Sequence, residues 1–314
     1  MNILIIGLGY TGACLAELAL AEGHQVTGVR RQNRFPPGIS GVAIDLARSS
    51  SLDALPSQPA AIAYLVGADA HSEAAYQSAY QVTLGRVLQR YAARLQRGET
   101  RLVFASSTAV YGASQGDAWV DEQTPALASS FSARILREAE RMAWDHGGVV
   151  LRLGGLYGPG RTAFLLRVAR GELTSATAET RFTNRVHQVD AARAMLHLAQ
   201  LPAPAPLYLG VDQAPATQRE VVEWLEAELG AVGALASGSR PLSAPGVGDE
   251  PAPAPGRREA RPGAGRVVAN KRCCSALLSA TGFNFAYPSF REGYAPLIAA
   301  LARDSAGAEA AARR

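Results

Sequence analysis

The sequence predicts an α/β protein built on a doubly wound parallel sheet. Short apolar strands alternate with helical patterns along most of the chain. A glycine-rich turn separates the first strand from the first helix, and five segments able to carry chemistry (Gly7 to Gly12, Asp45, Gly67, Ser106 to Thr108, Gly154 to Arg161) fall just after strands. In such a sheet the ligand crevice lies beyond the carboxyl ends of the strands, so these segments converge on one edge.

The first strand is Ile3 to Ile6. It runs into Gly7-Leu8-Gly9-Tyr10-Thr11-Gly12, and apolar residues at helical spacing (Leu15, Leu18, Ala19) follow until Gly23. His24 to Val29 supplies a second strand and completes the βαβ unit. In this context Gly7 permits the tight turn, Gly9 lets the backbone approach a pyrophosphate, and Gly12 permits close helix packing while the helix N-terminus faces the phosphates. Gly41 to Asp45 reads as a third strand, Ala61 to Val66 as a buried fourth ended by Gly67, and Tyr76 to Leu95 as a helix. Arg101 to Ala105 is a fifth strand, Phe131 to Trp144 a helix, and Gly148 to Leu153 a sixth strand. Further on come a helix over Val189 to Leu201, a strand at Leu207 to Leu209 and a helix over Arg219 to Leu229. Residues 231–265 are rich in Pro, Gly, Ala and Ser and predict a long loop, after which order resumes near Arg266 to Val268; residues 303–314 read as a tail that frays from Asp304.

At 314 residues with 48% hydrophobic and 18% charged residues, the chain can bury a large core. Its net charge of +4 comes from 30 arginines and one lysine spread along the sequence, which does not point to nucleic acid. No apolar stretch is long enough to predict a membrane span. The three cysteines form neither a metal spacing nor an even disulfide framework, so no metal site is expected and a reducing cytoplasm fits best.

The segments Phe104 to Gly112 (FASSTAVYG), Leu151 to Arg161 (LRLGGLYGPGR), Asn184 to Asp190 (NRVHQVD), Asn270-Lys271-Arg272, Gly282-Phe283 and Tyr287 to Gly293 (YPSFREG) resemble the NAD-dependent epimerase/dehydratase family, within the extended short-chain dehydrogenase/reductase superfamily. The resemblance implies a Rossmann-type cofactor domain over residues 1–165, to which 187–212 return, and a smaller C-terminal substrate lobe made of 166–186 and 213–302. A pyridine nucleotide is expected against Gly7, Gly9, Tyr10, Thr11 and Gly12, with Val66, Gly67 and Ser106 contributing. Where an NAD-preferring site places an acid, this chain has Arg30 and Arg31, and a guanidinium suits a 2′-phosphate, so NADP is the expected cofactor with NAD as the alternative. Asp45 and Leu46 match the family's adenine end, although Asp45 could equally be a helix N-cap.

The superfamily holds the substrate oxygen with a Ser or Thr after the fifth strand and supplies its proton from a Tyr-x-x-x-Lys helix. Ser107 aligns with the first. The second is missing, because Lys271 is the only lysine and no tyrosine lies between Tyr111 and Tyr157. If Glu140 marks the register, Ser132 and Leu136 replace Tyr and Lys; if Arg134 replaces Lys, its partner is Ser130. Related proteins with this gap are called atypical. Ser107, Ser132 and Tyr157 are the catalytic candidates, and Thr108, Arg161, Asn184, Arg185 and His187 the candidate substrate wall. The expected activity is an NAD(P)-dependent oxidoreductase or epimerase/dehydratase-like reaction on a small polyhydroxylated or carbonyl metabolite, such as a nucleotide sugar. The alternative is a non-catalytic NADP-binding regulatory or assembly protein. The expected partner is a small molecule, with a homodimer left open.

Overall fold

The computed structural model describes residues 1–112, 118–234 and 270–312. Seven parallel strands form the central sheet: β1 (Asn2–Ile6), β2 (Gln25–Arg30), β3 (Ser40–Ala43), β4 (Ala61–Tyr64), β5 (Arg101–Ser107), β6 (Val149–Leu153) and β7 (Leu207–Gly210). Their spatial order is β7-β6-β5-β4-β1-β2-β3, so the winding reverses between β1 and β4. At such a switch point the two connections leave in opposite directions and open a crevice.

Helices cover both faces. Ile3 and Ile5 of β1 point to one side, where they pack with Leu15 and Ala19 of α1 (Tyr10–Ala21) and with the helix α6 (Gln188–Gln200). Leu4 and Ile6 point to the other, with α3 (Leu84–Gln96) and α4 (Phe131–Asp145). This alternation on a sheet buried from both sides explains why the strands read as unbroken apolar runs. The stretch predicted as one helix from Tyr76 begins earlier as α2 (Glu73–Tyr76), passes through a π-helical segment (Gln77–Thr83) and continues as α3.

A third cluster lies in the C-terminal half. Leu165 and Val168 of α5 (Ala163–Ala169), Val221, Val222 and Leu225 of α7 (Gln218–Ala231), and Phe290, Tyr294 and Ile298 of the last helix pack around Tyr157. Thr217 and Glu220 close a reciprocal capping box at the start of α7. After the short α8 (Ala276–Ala280), α9 runs Phe290–Ala312, so a helix continues where the sequence predicts fraying from Asp304. The low-complexity loop falls almost entirely, and the expected restart at Arg266 to Val268 entirely, outside the described residues. No helix of the described residues is long and apolar enough to cross a membrane.

Candidate active site at the carboxyl edge of the sheet

The glycine turn joins β1 to α1 at the switch point. Gly7 takes φ +98°, and a Cβ there would lie 2.8 Å from the backbone of Leu65 and Val66. A Cβ on Gly12 would lie 2.2 Å from the Gly7 carbonyl oxygen, which is why helix and turn can meet this closely. Gly9 differs from both: a Cβ on it would meet nothing within 4 Å, so the backbone faces open space. Gly9 also occupies the N-cap position of α1, where no side chain caps the helix and no acidic residue lies in the first turn. The amides of a helix start left in that condition favour an anion.

Around this turn stand the other expected cofactor residues. Tyr10 is held from two sides, its carbonyl accepting from Gln188 Nε2 at 2.7 Å and its ring lying 4.6 Å below the Arg161 guanidinium. Thr11 is buried within α1. Arg30 closes β2 and donates to the Arg34 carbonyl at 2.8 Å. Arg31, just beyond, makes a bidentate pair with Asp69 at 2.6 and 2.7 Å, and both side chains are exposed. Asp45 accepts from the Ala47 amide at 3.0 Å and so caps a turn, not a helix; no helix follows it before α2. Leu46 is buried, Val66 half-buried and Gly67 exposed at the end of β4.

At the end of β5 two adjacent serines do different things. Ser106 is buried and donates to Glu140 Oε1 at 2.6 Å, and the same carboxylate is gripped by Arg152 at 2.9 and 2.6 Å. Arg152 in turn lies 4.7 Å over the Tyr111 ring. Ser106 therefore belongs to a buried brace between α4, β5 and β6, with its hydroxyl proton committed to Glu140. Ser107 is half-buried and points the other way along the strand. Its Oγ accepts from the Ala109 amide at 3.1 Å, capping the 3-10 turn Thr108–Val110, which leaves its own O–H to donate. Thr108 is buried in that turn.

On α4, Ser130 is the N-cap and accepts from Ala133, while Ser132 lies 3.1 Å from the Ser130 oxygen. Leu136 is only 4% exposed and packs in the core, so the lysine register is filled by an apolar contact. Arg134, the alternative lysine replacement, pairs with Glu73 at the surface at 2.5 Å.

The remaining candidates turn inward. Tyr157 is buried, stacked on Tyr294 at 4.6 Å, with its hydroxyl 3.4 Å from the Ser289 carbonyl; burial raises its pKa far above the usual phenol range. His187 caps α6, its Nδ1 accepting from Val189, and lies against Tyr287 at 3.8 Å; burial lowers its pKa to about 4, which keeps it neutral. Asn184 donates to the Lys271 carbonyl at 3.1 Å and accepts from the Cys273 amide at 2.7 Å. Buried Arg185 donates to the Thr183 carbonyl at 3.2 Å and lies over Phe164. The side chains of Asn184, Arg185 and His187 thus tie the C-terminal half together. Each is polar in a loop or short strand, and the buried backbone around it needed partners.

Two buried charged groups escape the sequence reading. Arg152 could have been flagged as an arginine inside an apolar strand. Asp212, held up to about 7 by burial, follows β7 with nothing in the sequence to mark it. Among the described residues no group of His, Cys, Asp and Glu side chains could hold a metal ion.

Comparison with known proteins agrees with this arrangement. A family model described as the NAD dependent epimerase/dehydratase family matches residues 3–207. Protein YeeZ of Escherichia coli K12 is 34% identical over 174 residues, 51% of this chain and 60% of that relative, so the match spans less than two thirds of the relative's length. A 3-diazoavenalumate denitrifying reductase from a Streptomyces species is 32% identical over 242 residues, covering 69% of this chain and 79% of the relative. A solved Methylobacillus flagellatus structure, assigned to the NAD-dependent epimerases/dehydratases, superposes with TM-score 0.72 at 28% identity over 96% of this chain and 98% of its own. With the switch-point glycine turn and the family match over most of the sheet, the chain belongs to the NAD dependent epimerase/dehydratase family.

Proposed function

We propose that the protein is a nicotinamide-dinucleotide-dependent oxidoreductase of small carbonyl or hydroxylated metabolites, with NADP(H) preferred. The observation that supports this most is the uncapped start of α1 beside the open space at Gly9, on the same sheet edge as the free donor of Ser107. In this reading the backbone amides of Gly9, Thr11 and Gly12 hold the pyrophosphate, Gly7 shapes the turn with its own amide on the Val29 carbonyl, Asp45 and Leu46 flank the adenine, and Val66 and Gly67 border the ribose. Arg30 is the better candidate for a 2′-phosphate, because Arg31 would have to leave the carboxylate of Asp69. A bound nicotinamide supplies or accepts the hydride.

Ser107 donates to the substrate oxygen and orients the carbonyl. Ser132, hydrogen-bonded to Ser130, is the hydroxyl nearest in register to the family's tyrosine. A serine is a far weaker acid than a phenol, and a positioned acid is typically worth about 10²–10⁴ in rate. Slow turnover is the consequence. The Streptomyces relative's description as a reductase favours the reductive direction. Tyr157 is omitted from the catalytic set because its hydroxyl is buried against Ser289. The division into a cofactor lobe and a smaller substrate lobe is part of the same proposal.

A second reading, a nucleotide-binding protein without chemistry, draws on one observation: Leu136 is buried where the lysine would stand. Ser107→Ala separates the two. If Ser107 orients a carbonyl, turnover of any ketone or aldehyde reduced by the wild type falls about 10²-fold with NADPH affinity unchanged. Turnover that ignores the substitution removes Ser107 from the mechanism, and absence of reduction across a carbonyl panel favours the second reading.

A further inference from the structure

Lys271 is the only lysine of the chain, and it is 5% exposed. Its ammonium reaches the Tyr111 carbonyl oxygen at 3.5 Å, a long contact. No carboxylate of the described residues forms an ion pair with it. The groups that act on it electrostatically are the Cys273 thiol and the guanidinium of Arg181, which has the same sign. Burial pushes Cys273 up to about 12, so that thiol is neutral and offers no countercharge. Arg152 provides the contrast within the same region. It is equally buried, yet both its hydrogen bonds go to the carboxylate of Glu140 and its charge is neutralised. Among the described residues the ammonium's three donors have one distant acceptor, and a buried ammonium is costly unless its shell is completed.

Its position suggests what that is. Tyr111 ends the 3-10 turn that Ser107 caps, and its amide donates to the Thr108 carbonyl. Asn184 clamps the backbone on both sides of Arg272 by bonding the Lys271 carbonyl and the Cys273 amide. The strand that follows the lysine, Arg272–Cys273, pairs with Trp119–Val120, and the lysine reaches the residue that ends the turn capped by Ser107. We propose that Lys271 binds an oxyanionic group of the substrate, a carboxylate or a phosphate, and so selects anionic carbonyl compounds for the site containing Ser107. This rests on the functional reading above. Burial lowers the pKa of the ammonium, as expected for a cation awaiting its partner.

A single lysine permits a direct test. Full-length protein grown on ¹³C-lysine gives one side-chain Hε–Cε resonance, followed in saturating NADPH while acetate, malonate or inorganic phosphate is added, with chloride at equal ionic strength as control. The inference predicts a saturable shift with at least one oxyanion and none with chloride; the carboxylate and phosphate arms identify which group the lysine takes. Lys271→Met should weaken that anion about tenfold or more by calorimetry, the loss of one charge-assisted hydrogen bond, with NADPH affinity unchanged. If the variant does not fold, the wild-type resonance decides. A resonance unmoved by every oxyanion while NADPH binds normally overturns the role of Lys271 alone. Failure of NADPH to bind overturns the functional reading beneath it.

Discussion

The α1 and α4 ends of the crevice are equipped differently. At the α1 end the glycine turn retains each geometric requirement: the left-handed Gly7, the open face of Gly9 and the tight approach of Gly12. At the α4 end the helix carries neither a tyrosine nor a lysine, while the brace of Ser106, Glu140 and Arg152 is complete. The difference teaches that a helix without phenol or lysine can still carry a buried ionic brace when that brace holds strands together. The brace joins α4 to β5 and β6 through a buried ion pair, so removing it costs the fold whatever happens to the chemistry.

The largest effects should come from breaking the two ends separately. Gly12→Val places a methyl-bearing carbon against the Gly7 carbonyl and is expected to abolish nucleotide binding and lower thermal stability, read by calorimetry and melting. Glu140→Ala leaves Arg152 buried and unpaired, with an expected loss of about 3–5 kcal/mol in chemical denaturation. A loss below about 1 kcal/mol would show that the brace is not structural. Restoring the missing pair, Ser132→Tyr with Leu136→Lys, should raise ketone reduction if the acid alone is lacking; a folded but inert variant would mean that the α4 end has lost more than two side chains.

Much of this contrast could be read in the sequence, because the glycine turn is governed by backbone sterics that only glycine satisfies, and a lysine count needs no structure. The alternating apolar strands likewise gave the sheet. What could not be read was direction. Asn184, Arg185 and His187 form a polar cluster at and within a short strand, and only the packed C-terminal half shows that their partners are Lys271, Thr183 and the start of α6. Asp45 looked able to cap a helix because local sequence carries a cap signal whether a helix or a turn follows. Ser106 and Ser107 are identical side chains on adjacent residues, and the two-residue period of β5 gives them different partners.

A smaller effect follows from Asp212. Burial raises its pKa to about 7 in the folded protein, against about 4 for an unfolded aspartate. The folded state therefore holds the proton over a range where the unfolded state has released it, and stability from this group is full below about pH 4 and lost as the pH rises through about 7. Asp212→Asn should flatten the stability profile across that window relative to wild type. Parallel profiles would place the carboxylate's partners, not its burial, in control.

The central claim is that the α1 end still holds a nicotinamide dinucleotide, and calorimetric titration of wild type and Gly9→Asp with NADPH and NADH tests it most directly. A carboxylate at Gly9 occupies open space, so the fold should be retained within about 0.5 kcal/mol while the anion is repelled. The account predicts that wild type binds NADPH more tightly than NADH and that Gly9→Asp binds neither at an unchanged melting temperature. A wild type that binds neither cofactor, or a Gly9→Asp variant that binds both as wild type does, would contradict it.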